Sequence, residues 1–196
     1  MILYLINLIN FIVTGIAFLV IVLAVVIDFL ENQANRNVKK EKRSFVETGT
    51  MTLFFILFYL VIRFSIGHLN FNGFFFNIIS VLCWLVILVV VYFNISGRFL
   101  LGKNWANQIK IYKNHTLVRK GVYNIVRHPL YASLIWIFYA CSILYSNWLA
   151  FLLNTLVFLP MMHYRASQEE KALSEQFRDY KKYQREVGMF FPKFIS

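Results

Sequence analysis

The sequence predicts an all-α, polytopic membrane bundle of about five transmembrane helices with an amphipathic C-terminal helix. Three observations carry that prediction. The hydrophobic fraction is 59%, with 21 Phe in 196 residues, against roughly 45–50% apolar in ordinary globular domains. Charged residues make up only 15% and are clustered between long apolar runs. Finally, the Lys and Arg residues fall in alternate loops, as expected when basic loops stay on one side of a bilayer. At this length the chain is one integrated unit. It divides into an N-terminal membrane segment, 1–98, and a more polar region, 99–196.

Taken in order, residues 1–27 carry no formal charge. A secretory signal would open on a basic stretch and hold an apolar core of about 7–15 residues. This run lacks the first and exceeds the second, so it reads as a spanning helix of the ~20 residues a bilayer needs. Residues 28–47 are polar and basic, with Arg36, Lys39, Lys40, Lys42 and Arg43. A second span is expected from Thr48 to Gly67, interrupted by Arg63, and a third from Phe74 to Ser96 after the uncharged turn 67–73. Residues 98–127 hold seven Lys/Arg and no acid.

Residues 129–164 are again uncharged, and Ser146-Asn147 divides them into a helical hairpin. Loops 28–47 and 98–127 and the tail are basic, whereas the turns at 68–73 and 146–147 lack Lys and Arg. Five spans therefore place the N-terminus outside and the C-terminus in the cytoplasm. In the tail, Ala166, Leu173, Phe177, Tyr180, Tyr183 and Val187 recur at helical spacing, which predicts an amphipathic helix continuing from the fifth span and stopping near Gly188. The formal charge of +11 resides in loops between apolar runs, which membrane topology explains and nucleic-acid binding does not. Cys83 and Cys141 lie inside apolar runs without metal or disulfide spacing.

Chemistry-bearing residues concentrate in two places. His115 to Tyr131 is the longest polar-aromatic passage in the middle of the chain. Its Arg127-His128-Pro129-x-Tyr131 motif stands at a span entry, where proline suits the first helical turn and free N–H groups favour accepting ligands. It also fits a basic interfacial flank with an aromatic anchor. Arg165 and Glu169 lie four apart on one helical face. They read either as a solvated pair or as an anion holder beside a carboxylate for cationic or hydroxylic ligands. Adjacent Glu169 and Glu170 lack a third ligand at metal spacing, so no metal is expected. Arg63, inside a span, is either functional or snorkelling to the outer interface. His68 and His163 read as interfacial.

The ordered set Leu101-Gly102-x-Asn104-Trp105, His115-Thr-Leu-Val118, Gly121-Val-Tyr123, Arg127-His-Pro-x-Tyr131, Arg165-x-x-x-Glu169-Glu170 and Phe177-x-x-Tyr180-x-x-Tyr183 resembles the isoprenylcysteine carboxyl methyltransferase family. The family's members are integral membrane enzymes that use S-adenosylmethionine and release S-adenosylhomocysteine. The resemblance runs from Phe99 to the C-terminus; the first three spans match only as hydrophobic helices. It implies a cytoplasmic cofactor site contacted by Gln108, His115, Thr116, Leu117, Val118, Tyr123, His128, Pro129, Leu130, Tyr131 and Glu169, with Arg165 at the substrate carboxylate. Where many relatives read Phe-Gly, this chain has Phe177-Arg178. The activity implied is methyl transfer to the carboxylate of a lipidic or prenylcysteine-type acceptor. The alternatives are a phospholipid-amine or thiol methyltransferase of the same fold, an NADPH-dependent sterol-reductase-like enzyme, or a scaffold that has kept the fold without catalysis.

Overall fold

A computed structural model describes residues 2–32, 38–42, 45–71, 73–102, 109–112 and 116–193. Helices α1 (Ile2–Asn32), α2 (Phe45–Arg63), α3 (Phe74–Leu101) and α4 (Pro129–Leu144) are followed by a long composite helix. The composite runs from α5 (Trp148–Leu153) through one π turn (Asn154–Phe158) into α6 (Leu159–Gln176). A short α7 (Tyr180–Glu186) closes the tail. The expected all-α class holds apart from a two-stranded antiparallel ribbon, β1 (Val38–Lys42) with β2 (Ile109–Tyr112), pairing Val38 with Tyr112 and Lys42 with Ile109. Backbone pairing thus brings the two basic loops together, which helical periodicity could not forecast.

Two helices are long and apolar enough to cross a membrane, Leu5–Ile27 and Phe74–Leu101, and only 22% and 28% of their apolar windows are buried. Core helices of a soluble protein would be mostly buried, so these faces suit hydrocarbon. Gly49–Arg63 and Pro129–Leu144 are shorter apolar helices. The second span ends earlier than expected: α2 stops at Arg63, and Phe64–Gly67 form a turn. Arg63 is accordingly a helix-terminal, exposed residue rather than one in mid-span. The third helix continues past the expected Ser96 to Leu101, where Gly102 ends it.

The helices run alternately up and down, and each end is fastened differently. At the end holding the uncharged turns, Leu69 N–H donates to Ser146 O (2.7 Å) and Trp148 N–H to Gly67 O (3.1 Å). Gly67 adopts φ 78°, and a Cβ there would stand 2.6 Å from Leu149 Cβ, so both conformation and space call for glycine. Asn147 caps α5 by accepting from Ala150 N–H at 2.9 Å. Asn10 on α1 bridges the same end, donating to Leu144 O (3.3 Å) and accepting from Trp84 Nε1 (2.9 Å).

In the middle, α3 packs along α4 and α1 along α3. Phe54 and Phe58 of α2 interlock with Phe138 of α4 and Phe158 of the π turn, at centroid separations of 4.5 Å for Phe54–Phe158 and 4.6 Å for Phe58–Phe138. Such ring pairs contribute about 0.5–1.5 kcal/mol each beyond their area burial. At the opposite end Gly97 admits α4 closely; a Cβ there would lie 3.2 Å from Pro129 Cγ and 3.3 Å from Leu130 Cδ2. Asn94, fully buried, donates to Ser133 Oγ at 2.7 Å and locks the same crossing.

The tail departs from one continuous helix. α6 ends at Gln176, and Phe177–Asp179 turn the chain before α7. The predicted inward face nevertheless holds: Tyr180, Tyr183 and Val187 are buried together against Leu117, Leu173 and Phe177. The Phe177 carbonyl, just before the Arg178 that stands where many relatives are expected to have glycine, accepts from Tyr180 N–H (3.1 Å) to make the turn. α7 ends at Glu186, and Gly188 packs so closely on the Phe191 carbonyl that a Cβ there would overlap it.

Candidate active site

Proline at the first position of α4 fixes where the helix begins and leaves His128 just outside it. The His128 side chain makes no capping bond; it turns toward α6. The preceding residues are anchored from the tail, with Arg127 N–H donating to Gly188 O (2.8 Å) and His128 N–H to Met189 O (3.1 Å). The chain leading into the His-Pro motif is therefore one side of a short parallel bridge, Val126 with Gly188.

The side chains form a layered cluster. Arg127 Nε donates to Glu170 Oε1 at 2.7 Å, and Nη1 donates to the carbonyls of Gln184 (3.1 Å) and Val187. Gln184 Nε2 donates to Glu170 Oε2 at 2.7 Å. His128 stands between the two carboxylates, Nε2 3.1 Å from Glu170 Oε1 and Nδ1 3.5 Å from Glu169 Oε2. Its ring stacks on Tyr131 with centroids 5.6 Å apart and 7° between planes, and meets Phe190 edge-on at 6.2 Å. The Tyr131 hydroxyl donates to Glu169 Oε1 and accepts from Arg165 Nε at 2.9 Å. Arg165 also lies over the Tyr131 ring, 5.7 Å from its centroid, and contacts Met51 Sδ at 3.3 Å.

Electrostatics follow from this packing. Burial alone would push the Glu170 carboxyl up, but hydrogen bonds from His128 and Arg127 outweigh it and hold the carboxyl at about 2. Glu169 is likewise lowered: burial opposes its charge, and His128 and Tyr131 more than offset it. Burial works against a charged His128, yet bonding to Glu169 and Glu170 raises it above its ordinary value.

This cluster forms the polar end of a cavity of about 1040 Å³, lined there by Arg98, Tyr123, His128, Tyr131, Arg165 and Glu169. From there the cavity continues between α1 and α2, past Ile21, Phe18 and Phe58, to Phe11 and Arg63 at the far end. Met51, level with Arg165, and Arg63 are twelve residues apart on α2, so the apolar part extends about 18 Å at 1.5 Å per residue.

Of the predicted cofactor and substrate residues, Tyr123, His128, Pro129, Leu130, Tyr131, Arg165 and Glu169 share this one cavity. Leu117 instead packs in the tail cluster, and Thr116 and Val118 lie outside the cavity lining. Gln108 and His115 lie outside the described residues. Sequence reasoning overlooked Arg98 and Met51. Arg98 lies one helical turn from Asn94, which accepts its Nε–H at 2.9 Å, and that i,i+4 spacing was the available signal. No sequence signal marks Met51. The Arg127–Glu170–Gln184 knot is also new, because its members come from three separate segments.

Residues 81–175 match the model of the isoprenylcysteine carboxyl methyltransferase (ICMT) family. The solved structure of a eukaryotic intramembrane Ras methyltransferase, ICMT, without a monobody, superposes with a TM-score of 0.55 at 23% identity, over 77% of this chain and 53% of that one. The chain thus spans about half the length of that structure, with which it shares a fold. No protein with a curated description matches. The family resemblance read from the motifs is borne out; the match begins within α3, earlier than the expected Phe99, and ends at residue 175, before the Phe177-x-x-Tyr180-x-x-Tyr183 stretch.

Proposed function

We propose, for a chain whose residues 81–175 carry the ICMT family pattern, that it is a membrane methyltransferase that moves a methyl group from S-adenosylmethionine to the carboxylate of a lipidic, prenylcysteine-type acceptor. One observation carries the reading: the Arg165–Tyr131–Glu169 hydrogen-bonded chain sits at the polar end of a long apolar cavity. At about 1040 Å³ the cavity reaches the upper limit of ordinary small-molecule sites, roughly 300–1,000 Å³. It has room for both a donor and a chain-bearing acceptor.

The residues present suit the donor. Glu169 offers a carboxylate to an ammonium or to ribose hydroxyls, and Tyr123, Pro129 and Leu130 supply apolar and aromatic wall beside it. Thr116, Leu117 and Val118, together with Gln108 and His115, remain proposed donor contacts on the family resemblance. When bound, S-adenosylmethionine supplies an electrophilic methyl carbon on a sulfonium sulfur. The chain's own residues then have a limited task. A carboxylate acceptor is ionised at neutral pH, so no general base is required. Arg165 holds that carboxylate by charge-assisted hydrogen bonds. The Tyr131 hydroxyl, accepting from Arg165 and donating to Glu169, stands between the two charges. Each therefore keeps an edge for its own ligand, and two substrates can be held in fixed relation, a proximity effect.

In the membrane we place five spans, α1 to α4 and the composite helix from α5 as far as Tyr164, with the N-terminus outside and the site and C-terminus in the cytoplasm. The basic-loop pattern and the meeting of the two uncharged turns at one end support this. Residues 99–196 supply the chemistry, and 1–98 mainly the acceptor's wall. The test is transfer from methyl-labelled S-adenosylmethionine in nanodiscs to a prenylcysteine, an aminophospholipid and a thiol. Label on the prenylcysteine alone is expected. Label only on the amine or thiol would overturn the carboxylate reading, and hydride transfer from labelled NADPH would overturn the methyltransferase.

A further inference from the structure

We propose that Glu170 is a positioning residue that holds His128 as an imidazolium aimed at Glu169, so that a ligand ammonium arriving at Glu169 expels one proton from the site. This rests on the reading of Glu169 as the donor-binding carboxylate. The geometry of the ring carries it. Both nitrogens of His128 face carboxylate oxygens, Nε2 at 3.1 Å from Glu170 and Nδ1 at 3.5 Å from Glu169. A neutral imidazole has one donor and one acceptor nitrogen, and an acceptor lone pair turned toward a carboxylate is repelled. Both nitrogens therefore carry protons. The ring has no room to turn away, because Tyr131 stacks on its face and Phe190 abuts it edge-on.

The two carboxylates differ in what they can give up. Glu170 is 6% exposed and takes Arg127 and His128 on Oε1 and Gln184 on Oε2. It is a fixed anion. Glu169 is 25% exposed and lines the cavity. The other charged or titratable groups around His128, among the described residues, are Arg127 and Tyr131 on its own segment, Arg165 of α6 through Tyr131, and buried Tyr180 of α7. The C-terminal segment contributes Phe190 and the Met189 carbonyl, neither titratable. Glu169 and Glu170 are thus the anions that keep the proton on.

A ligand ammonium at Glu169 neutralises one of those anions and brings a like charge beside the ring, and both effects favour the neutral imidazole. The Nδ1 proton leaves to solvent through the cavity, the Nε2 proton stays on Glu170, and Nδ1 becomes an acceptor for the ligand's N–H. The ligand keeps its own protons, so the only change in the protein is imidazolium to imidazole.

The experiment is isothermal titration of the full chain in detergent with S-adenosylhomocysteine. It uses buffers of different ionisation heat, between about pH 5.5 and 7.5, below the ordinary α-amino range of roughly 7.7–8.0. Expected is release approaching one proton per ligand, with affinity rising by up to about tenfold per pH unit within the transition. In Glu170→Gln the release should move to lower pH, because one of the two holding charges is gone. Absence of binding would defeat the donor-site reading itself. Binding of the expected ligand with no buffer-dependent heat would overturn the proton linkage alone. Should Glu170→Gln fail to fold, ¹⁵N-histidine spectra of the wild-type chain, assigned with His128→Asn, decide the matter. Two protonated ring nitrogens at pH ~7 in the free site, one after addition of S-adenosylhomocysteine, are expected; a neutral ring in the free site would overturn it.

Discussion

At the scale of single residues, Glu169 and Glu170 are neighbours in sequence with opposite tasks. Glu170 is buried beneath Arg127, His128 and Gln184, whereas Glu169 opens to the cavity. Glu170→Ala would leave Arg127 and His128 without their shared anion, and a loss of about 3–5 kcal/mol is expected in urea or thermal unfolding. Glu169→Gln should unfold like wild type within about 1 kcal/mol, since its site is half open, but lose donor binding in the titration. Arg165→Ala should raise the acceptor KM while leaving the donor affinity within a few-fold. The cluster also sets a pH window. Glu170 is lowered from 4.5 to about 2, so its contribution is present above 4.5 and lost as pH falls toward 2. His128 is raised above 6.5, so its contribution is complete below 6.5 and lost as pH climbs through its folded value. Melting temperatures in detergent should therefore be flat between about 4.5 and 6.5 and decline on either side.

At the scale of elements, two close approaches decide whether the site assembles. Gly97 lets α3 meet Pro129 and Leu130, and Gly188 lets the tail fold back over the Phe191 carbonyl. Gly97→Leu should force α3 from α4 and abolish activity through the displaced entry of α4, at a cost of about 1–3 kcal/mol for overpacking. Gly188→Ala should free the tail, read as faster proteolysis after α6 together with loss of donor binding. Much of this level was legible in the sequence. Pro129 announced the start of α4, Ser146-Asn147 the hairpin, and the spacing of Tyr180, Tyr183 and Val187 the inward face of the tail. The β1–β2 ribbon was not, because pairing Lys42 with Ile109 and Val38 with Tyr112, partners far apart in the chain, leaves no local period. The break at Phe177 was not either, because a helical face can be continued after a turn without disturbing its spacing. For the site, the motifs gave the cavity-lining residues, while Arg98, Met51 and the Gln184 contact depend on which elements become neighbours.

At the scale of the whole molecule, the bundle has one end tied by uncharged turns and another carrying the charged cluster, and this polarity should match the membrane. Single cysteines in a background lacking Cys83 and Cys141, placed at Asn70 and at Lys181, test it. A membrane-impermeant maleimide should label Asn70→Cys on intact cells and Lys181→Cys only after permeabilisation; the reverse pattern would invert the orientation. Removing the two native cysteines is expected to be tolerated when they are replaced by Ala, since both are small buried hydrophobes.

The π turn at Asn154–Phe158 has a further consequence for where the reactive groups point. Its Leu159 N–H reaches back to Asn154 O, five residues rather than four, which accommodates one extra residue and rotates everything beyond it by about 100° relative to an uninterrupted α-helix. Asn154, fully buried, spends its amide on Ile135 O at 3.1 Å to hold that irregularity in place. The azimuth of Arg165 and Glu169 is thus set about three turns away, well before the site itself. Deleting one residue, Val157, should let the helix close into regular α geometry with both side chains still facing Tyr131, whereas inserting one alanine after Leu159 should swing them about 100° away without altering either of them. The chain works like a screw whose thread is miscut by one step so that its head stops facing the right way.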